Sequence, residues 1–156
     1  MPAVRAVPLV GAVSAAATTM GRMSEPEPAP TEASVFSRII SREIPADVVF
    51  EDDSVIAFRD IAPQAPFHVL VVPKTARHRD VVELAAADPS LLAQIVATAS
   101  ALASDPALLG DEVVAASGGT GEFRLIFNTG ASAGQTVFHV HAHVLAGPLE
   151  EGSLAH

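Results

Sequence analysis

The 156-residue chain has no cysteine. That excludes a disulfide framework, thiol catalysis and a cysteine-ligated zinc, and it leaves the compartment open because nothing needs oxidising. Positive charge is scarce as well: 9 lysines and arginines face 18 aspartates and glutamates, for a net charge of −9. A surface of that sign repels polyanions, which speaks against nucleic acid as a partner; backbone N–H groups can still hold a small anion. No run approaches the ~20 apolar residues that a membrane span requires. What the chain does have is apolar residues. At 49% hydrophobic and 17% charged, most of it should fold as one domain with a real core.

Residues 1–32 read differently from the rest. Arg5 precedes a weak apolar run from Val7 to Ala17, broken by Pro8, Gly11 and Ser14. A signal peptide is one reading; a disordered extension, or a start at Met20 or Met23, is the reading the interruptions favour. Ser24–Thr31 is a proline- and glutamate-rich linker expected to stay extended. The expected organisation is an extension over 1–32, a domain over 33–147 and a tail over 148–156.

From Ser34 the periodicities become globular. Phe36, Ile39 and Ile40 fall at helical spacing, and the run is expected to stop at Ile44-Pro45. Val48–Phe50 and Val55–Phe58 flank a polar turn and read as a hairpin. Asp60–Pro66 is a proline loop, and Phe67–Pro73 is apolar enough to be a central strand. Asp88-Pro89 is an N-cap with proline at the first helical position, followed by Leu91, Leu92, Ile95, Val96, Ala99 and Leu102 at helical spacing to about Ala103. After a glycine turn at 118–121, Glu122–Asn128 alternates as a strand with Phe123, Leu125 and Phe127 on one side. The sum is an α+β domain, an antiparallel sheet of about five strands with two helices packed on it.

Half of the six histidines lie in one stretch, Phe138–Ala146 (FHVHAHVLA). His139, His141 and His143 alternate with Val140, Ala142 and Val144, the period of a half-buried strand. One histidine on a strand is usually structural. Three on one face are harder to dismiss, because each imidazole taken from water needs a partner. Two chemistries remain open. Alternate strand positions could supply two zinc ligands, with His68 as a further donor. Alternatively, a neutral imidazole, with an ordinary pKa near ~6.5, is a competent nucleophile; Gly134, Gln135 and Thr136 just upstream offer N–H groups and a hydroxyl for phosphate charge. Asp60, at the end of a strand, could accept two hydroxyl hydrogen bonds or simply form a turn.

The HVHAHVL stretch resembles the signature of the histidine triad nucleotide-binding proteins. The SREIP and FEDD segments, Asp60–His68, Val72-Pro73-Lys74 and Gly134–Phe138 extend the likeness to the Hint branch over Ser34–Gly147. The resemblance implies a HIT-like fold and hydrolysis of purine nucleoside phosphoramidates. His141 would be the nucleophile that forms a nucleotidyl-histidine intermediate, and His139 would orient it. His143 and His68 would contact phosphate oxygens or assist the leaving group, and Asn128, Gly134, Gln135 and Thr136 would bind phosphate. Asp60 would hold the ribose, and Phe36, Ile39, Phe58 and Ile61 would line the base pocket. No cofactor or metal is needed, and the expected assembly is a cytoplasmic homodimer taking up a purine nucleotide or nucleoside phosphoramidate. Within the family a dinucleoside polyphosphate hydrolase is an alternative; outside it, a nucleotide-binding regulatory protein. The chain departs from the pattern in its acidic tail, which lacks tryptophan, and in Asp105–Thr120, expected to be an irregular connection.

Overall fold

In the computed structural model the described residues are 33–152; the readings made for 1–32 and for the last four residues lie outside them. The strand at Phe67–Pro73 (β3) is buried at every position, as an uninterrupted apolar run requires when both faces are covered. It is the centre of a five-stranded antiparallel sheet. With β1 (Val48–Glu51), β2 (Val55–Arg59), β4 (Arg124–Ile126) and β5 (Ala142–Ala146), the spatial order is β1-β2-β3-β5-β4.

Alternate residues of β3 feed two separate cores. Phe67, Val69 and Val71 join Val55 and Ala57 of β2 and Ala142 and Val144 of β5 in the larger one. That core is capped by Ile95, Ala99 and Leu102 of α3 (Pro89–Ala103). The expected Asp88-Pro89 start is realised, with the Asp88 carboxylate accepting from the Leu91 N–H at 3.1 Å. On the opposite face Leu70 and Val72 meet Ile56, Phe58, Phe36 and Ile39. The last two belong to α1 (Val35–Ile40). Six residues are far below the ~12–15 that an isolated helix needs. Packing therefore holds α1 in place: burying Phe36 and Ile39 contributes ~1.5–3 kcal/mol each, and the Ser34 hydroxyl caps the Ser37 N–H.

The differences from the sequence reading have local causes. The described α-helices number five rather than two. Asp80 caps α2 (Val81–Ala87), accepting from Val82 and Glu83 N–H. The 105–120 segment is not irregular: it forms α4 (Pro106–Leu109) and α5 (Asp111–Ser117), the first capped by Asp105. α1 ends at Ile40, not at the proline, because Arg42 adopts a left-handed conformation (φ 66°) and the Glu43 and Ile44 N–H groups both turn back to the Arg38 carbonyl. β4 is shorter than expected, yet Phe123, Leu125 and Phe127 all pack on the larger core. Val96 is exposed instead of buried. Among the described residues no helix is long and apolar enough to cross a membrane.

Candidate active site

The histidine stretch keeps its alternation but not its full ladder. Pairing begins only at Ala142, because the preceding backbone is engaged elsewhere: the Val140 N–H donates to the His78 carbonyl, and the His139 carbonyl lies 2.9 Å from Nδ1 of His141. Val140, Ala142 and Val144 enter the larger core. On the other face the register sets His143 opposite Leu70, and His68 opposite Leu145. His68 and His143 thus share a face two residues out of step, and their rings meet, with Nε2 of His68 3.0 Å from Nδ1 of His143.

His141 and His143 open on a cleft of about 430 Å³ beneath α1. Its apolar lining comes from Phe36, Ile39, Ile44, Phe58 and Leu70 among others. Its polar lining includes Asp60, Asn128, Thr136, His141 and His143, with Gly134 beside them. A second recess of about 270 Å³ shares Asp60, Asn128 and His143 with it and adds His68 and Gln64. Ile61 stands at the rim with its side chain fully exposed. Three expected residues lie outside the main cleft's lining: His68, which lines only the second recess, His139 and Gln135. His139 is 1% exposed and sits behind the site. Gln135 is 3% exposed, and its amide is spent on the backbone: Oε1 accepts from the Gly130 N–H, and Nε2 donates to the Arg79 and Val137 carbonyls. The loop that bears Gly134 and Thr136 is thereby clamped. Gly134 needs its lack of a side chain, since φ is 92°.

Backbone atoms, which cannot exchange roles, decide where each imidazole proton sits. The Gln64 N–H donates to Nδ1 of His68 at 3.0 Å, so His68 carries its proton on Nε2 and offers it to Nδ1 of His143 or to Oδ2 of Asp60, 3.4 Å away. With His143 accepting at Nδ1, its own proton is on Nε2. His141 must donate from Nδ1 to the His139 carbonyl, which leaves a lone pair on Nε2. His139 must donate from Nε2 to the Pro73 carbonyl at 2.7 Å. Asp60 also forms a turn, accepting from the Ala62 N–H through Oδ1, so both of its sequence readings are compatible with one geometry.

Burial favours the neutral form of all four rings. Burial pushes His68, His139 and His141 below the ordinary histidine value, only partly opposed by Asp60 for His68, by the Pro73 carbonyl for His139, and by the His139 carbonyl and Asp60 for His141. His143 is lowered to about 4, by burial first and then by its neighbours His141 and His68. Phe36 contributes to this environment, its ring meeting His141 edge-on at 4.8 Å between centroids. Sequence reasoning placed Phe36 only in the base pocket and missed this contact; the i, i+3 pattern of α1 gives no sign of it.

Asp60, His68 and His143 bring one ligand atom each within 4.8 Å of one another, the best metal-binding grouping among the described residues. The proton pattern opposes it. A metal on Nε2 of His68 needs that nitrogen bare, yet Nδ1 already accepts from the Gln64 N–H. The set is better suited to moving a proton than to holding a cation.

The HIT domain model matches residues 41–148. An uncharacterized HIT-like protein of Synechococcus elongatus is 44% identical over 117 residues, 75% of this chain and 92% of that one. The purine nucleoside phosphoramidase of Escherichia coli is 40% identical over 125 residues, 80% and 96% of the two chains. Among solved structures, a HIT family hydrolase from Clostridium thermocellum superposes with a TM-score of 0.63 at 39% identity, over 78% of this chain and 96% of its own. The chain belongs to the HIT domain family, as one of its hydrolases.

Proposed function

We propose that the protein hydrolyses purine nucleoside phosphoramidates through a covalent nucleotidyl intermediate on His141. The observation that carries this reading is the fixed tautomer of His141: Nδ1 is committed to the His139 carbonyl, so Nε2 is an unprotonated nucleophile in a cleft that also holds Asn128 and Thr136 for the phosphate. The 40% identity to a purine nucleoside phosphoramidase supports the choice of substrate. The apolar lining of the cleft accepts the base, and Oδ2 of Asp60 accepts from the ribose hydroxyls.

Nε2 of His141 attacks phosphorus and the P–N bond breaks. The bound phosphoryl anion raises the proton affinity of the adjacent His68–His143 pair, which takes up one proton and passes it to the departing nitrogen, so the amine leaves neutral. In the second step water attacks phosphorus and gives its proton to the same pair; the P–Nε2 bond breaks, and nucleoside monophosphate leaves. The pair then returns its borrowed proton to solvent. The same reading takes the protein to be a homodimer.

Intact-protein mass spectrometry after rapid mixing with an adenosine phosphoramidate tests the reading. A transient gain of one adenylyl group, absent in His141→Ala, is expected, with AMP and free amine as products. Nucleotide binding without adduct or AMP would overturn it in favour of a binding protein. Faster turnover of a dinucleoside polyphosphate than of the phosphoramidate would move the substrate assignment to that class.

A further inference from the structure

His139 is almost completely buried, and its ring has one partner that no motif discloses. Nδ1 lies 3.2 Å from Oγ of Ser34, 105 residues earlier in the chain. Ser34 is the N-cap of α1. Its hydroxyl accepts from the Ser37 N–H at 3.1 Å and lies 3.2 Å from the Ser37 hydroxyl. A serine hydroxyl has one proton and two lone pairs. Nε2 of the neutral His139 ring must donate to the Pro73 carbonyl, so Nδ1 is bare and requires a donor. Ser37 can supply the proton in the hydroxyl pair, which frees the Ser34 proton for His139. With this arrangement every group is satisfied, and no buried side-chain polar atom among the described residues lacks a partner.

We infer that Ser34 is a positioning residue for the reaction: its hydroxyl donates to Nδ1 of His139, fixing the ring whose own carbonyl fixes the tautomer of His141. The N-terminal turn of α1 therefore grips the site twice, through Ser34 on His139 and through Phe36 on the His141 ring. Loss of the Ser34 donor leaves Nδ1 of His139 without a partner in a dry site. The ring then shifts or changes tautomer, and the His139 carbonyl moves with it. Displacements of this kind, remote from the reacting atoms, cost about 10- to 100-fold in rate. The effect falls on kcat, because Ser34 does not itself line the cleft.

The kinetic arm of the test rests on the phosphoramidate reading; the spectroscopic arm does not. Ser34→Ala removes both the cap and the donor. Ser34→Asp caps a helix as well as serine does but cannot donate, and Ser34→Thr keeps both functions. In long-range proton–nitrogen spectra of the ring nitrogens, parent and Ser34→Thr are expected to show His139 protonated on Nε2 with a hydrogen-bonded Nδ1. The Ala and Asp variants should lose that Nδ1 signature. In turnover, Ser34→Asp, which keeps the helix cap, should lose about 10-fold or more in kcat with KM little changed, while Ser34→Thr should stay within about twofold. An unchanged His139 pattern in Ser34→Ala, or parental kcat in Ser34→Asp, would overturn the inference. If the parent itself does not turn over phosphoramidates, the substrate reading fails, and the ring spectra alone decide on Ser34.

Discussion

Replacing Gln135 separates two roles that the same residue could play. As a phosphate ligand it would affect substrate affinity; as the clamp described above it governs stability first. Its amide makes three hydrogen bonds to backbone groups of two segments, at 2.9, 2.6 and 3.0 Å. Truncation to alanine strands one N–H and two carbonyls. Each group left unmade costs about 1–3 kcal/mol, and water reaching the half-buried Gly130 and Val137 backbone keeps the figure near the lower bound. The sum is about 3 kcal/mol, which lowers the melting temperature of a domain this size by about 10 °C. Gln135→Glu should be worse than Gln135→Ala, although it is nearly isosteric. It replaces the donating NH2 by an acceptor facing two carbonyls, and a buried, repelled carboxylate adds about 1–2 kcal/mol or more. Calorimetric melts of the three proteins are the assay. A Gln135→Glu protein as stable as the parent, or a Gln135→Ala protein that melts normally but shows a raised KM, would refute the clamp.

Two further outcomes follow from the same geometry. Because burial depresses the pKa of all four site histidines in the folded state, the unfolded chain binds protons first on acidification; stability should hold above pH ~6.5 and fall from there towards the His143 value of about 4, and melts that are flat from pH 7 to 4 would contradict it. Gly134→Ala should lose about 1–2 kcal/mol from the left-handed backbone alone, since a Cβ there meets nothing closer than Nδ2 of Asn128 at 3.9 Å; a crystal structure with the loop unmoved and a melting temperature equal to the parent's would refute this.

Much of the frame is legible in the sequence because it rests on local rules. The apolar run of β3 and the Asp88-Pro89 helix start each announce themselves within a few residues, and both are realised. The missed helices obey the same rules. Asp105-Pro106 repeats the aspartate-proline start of Asp88-Pro89, and Asp80 with Glu83 is the spacing of a capping box; Oε2 of Glu83 accepts from the Arg79 N–H. Their short apolar patterns are what hid them. The site divides differently. Alternation suffices to put His139, His141 and His143 on one side, but the partner of each ring is set by tertiary contact. Pro73 and Ser34 lie 66 and 105 residues from His139, and Gln64 reaches His68 only because the proline loop folds back. Loop chemistry pointed to the N–H groups of Gly134 and Gln135 for phosphate, but these donate to the Ala131 and Gly130 carbonyls, and the Gln135 amide holds the loop together.

A neutral imidazole has one proton and one lone pair, so a cluster of four has several near-equivalent proton arrangements unless something breaks the tie. Here the tie is broken by main-chain atoms. The Gln64 N–H can only give, and the Pro73 and His139 carbonyls can only accept. From those three ends the protons on His68, His139, His141 and His143 are determined in turn. Burial adds the second condition, because it removes the doubly protonated form that would erase the pattern. The nucleophilic lone pair of His141 is therefore a consequence of backbone placement, and it persists across the pH range in which the rings stay neutral. A substitution that leaves all four histidines intact but moves one of those backbone ends should impair the chemistry as surely as losing a ring.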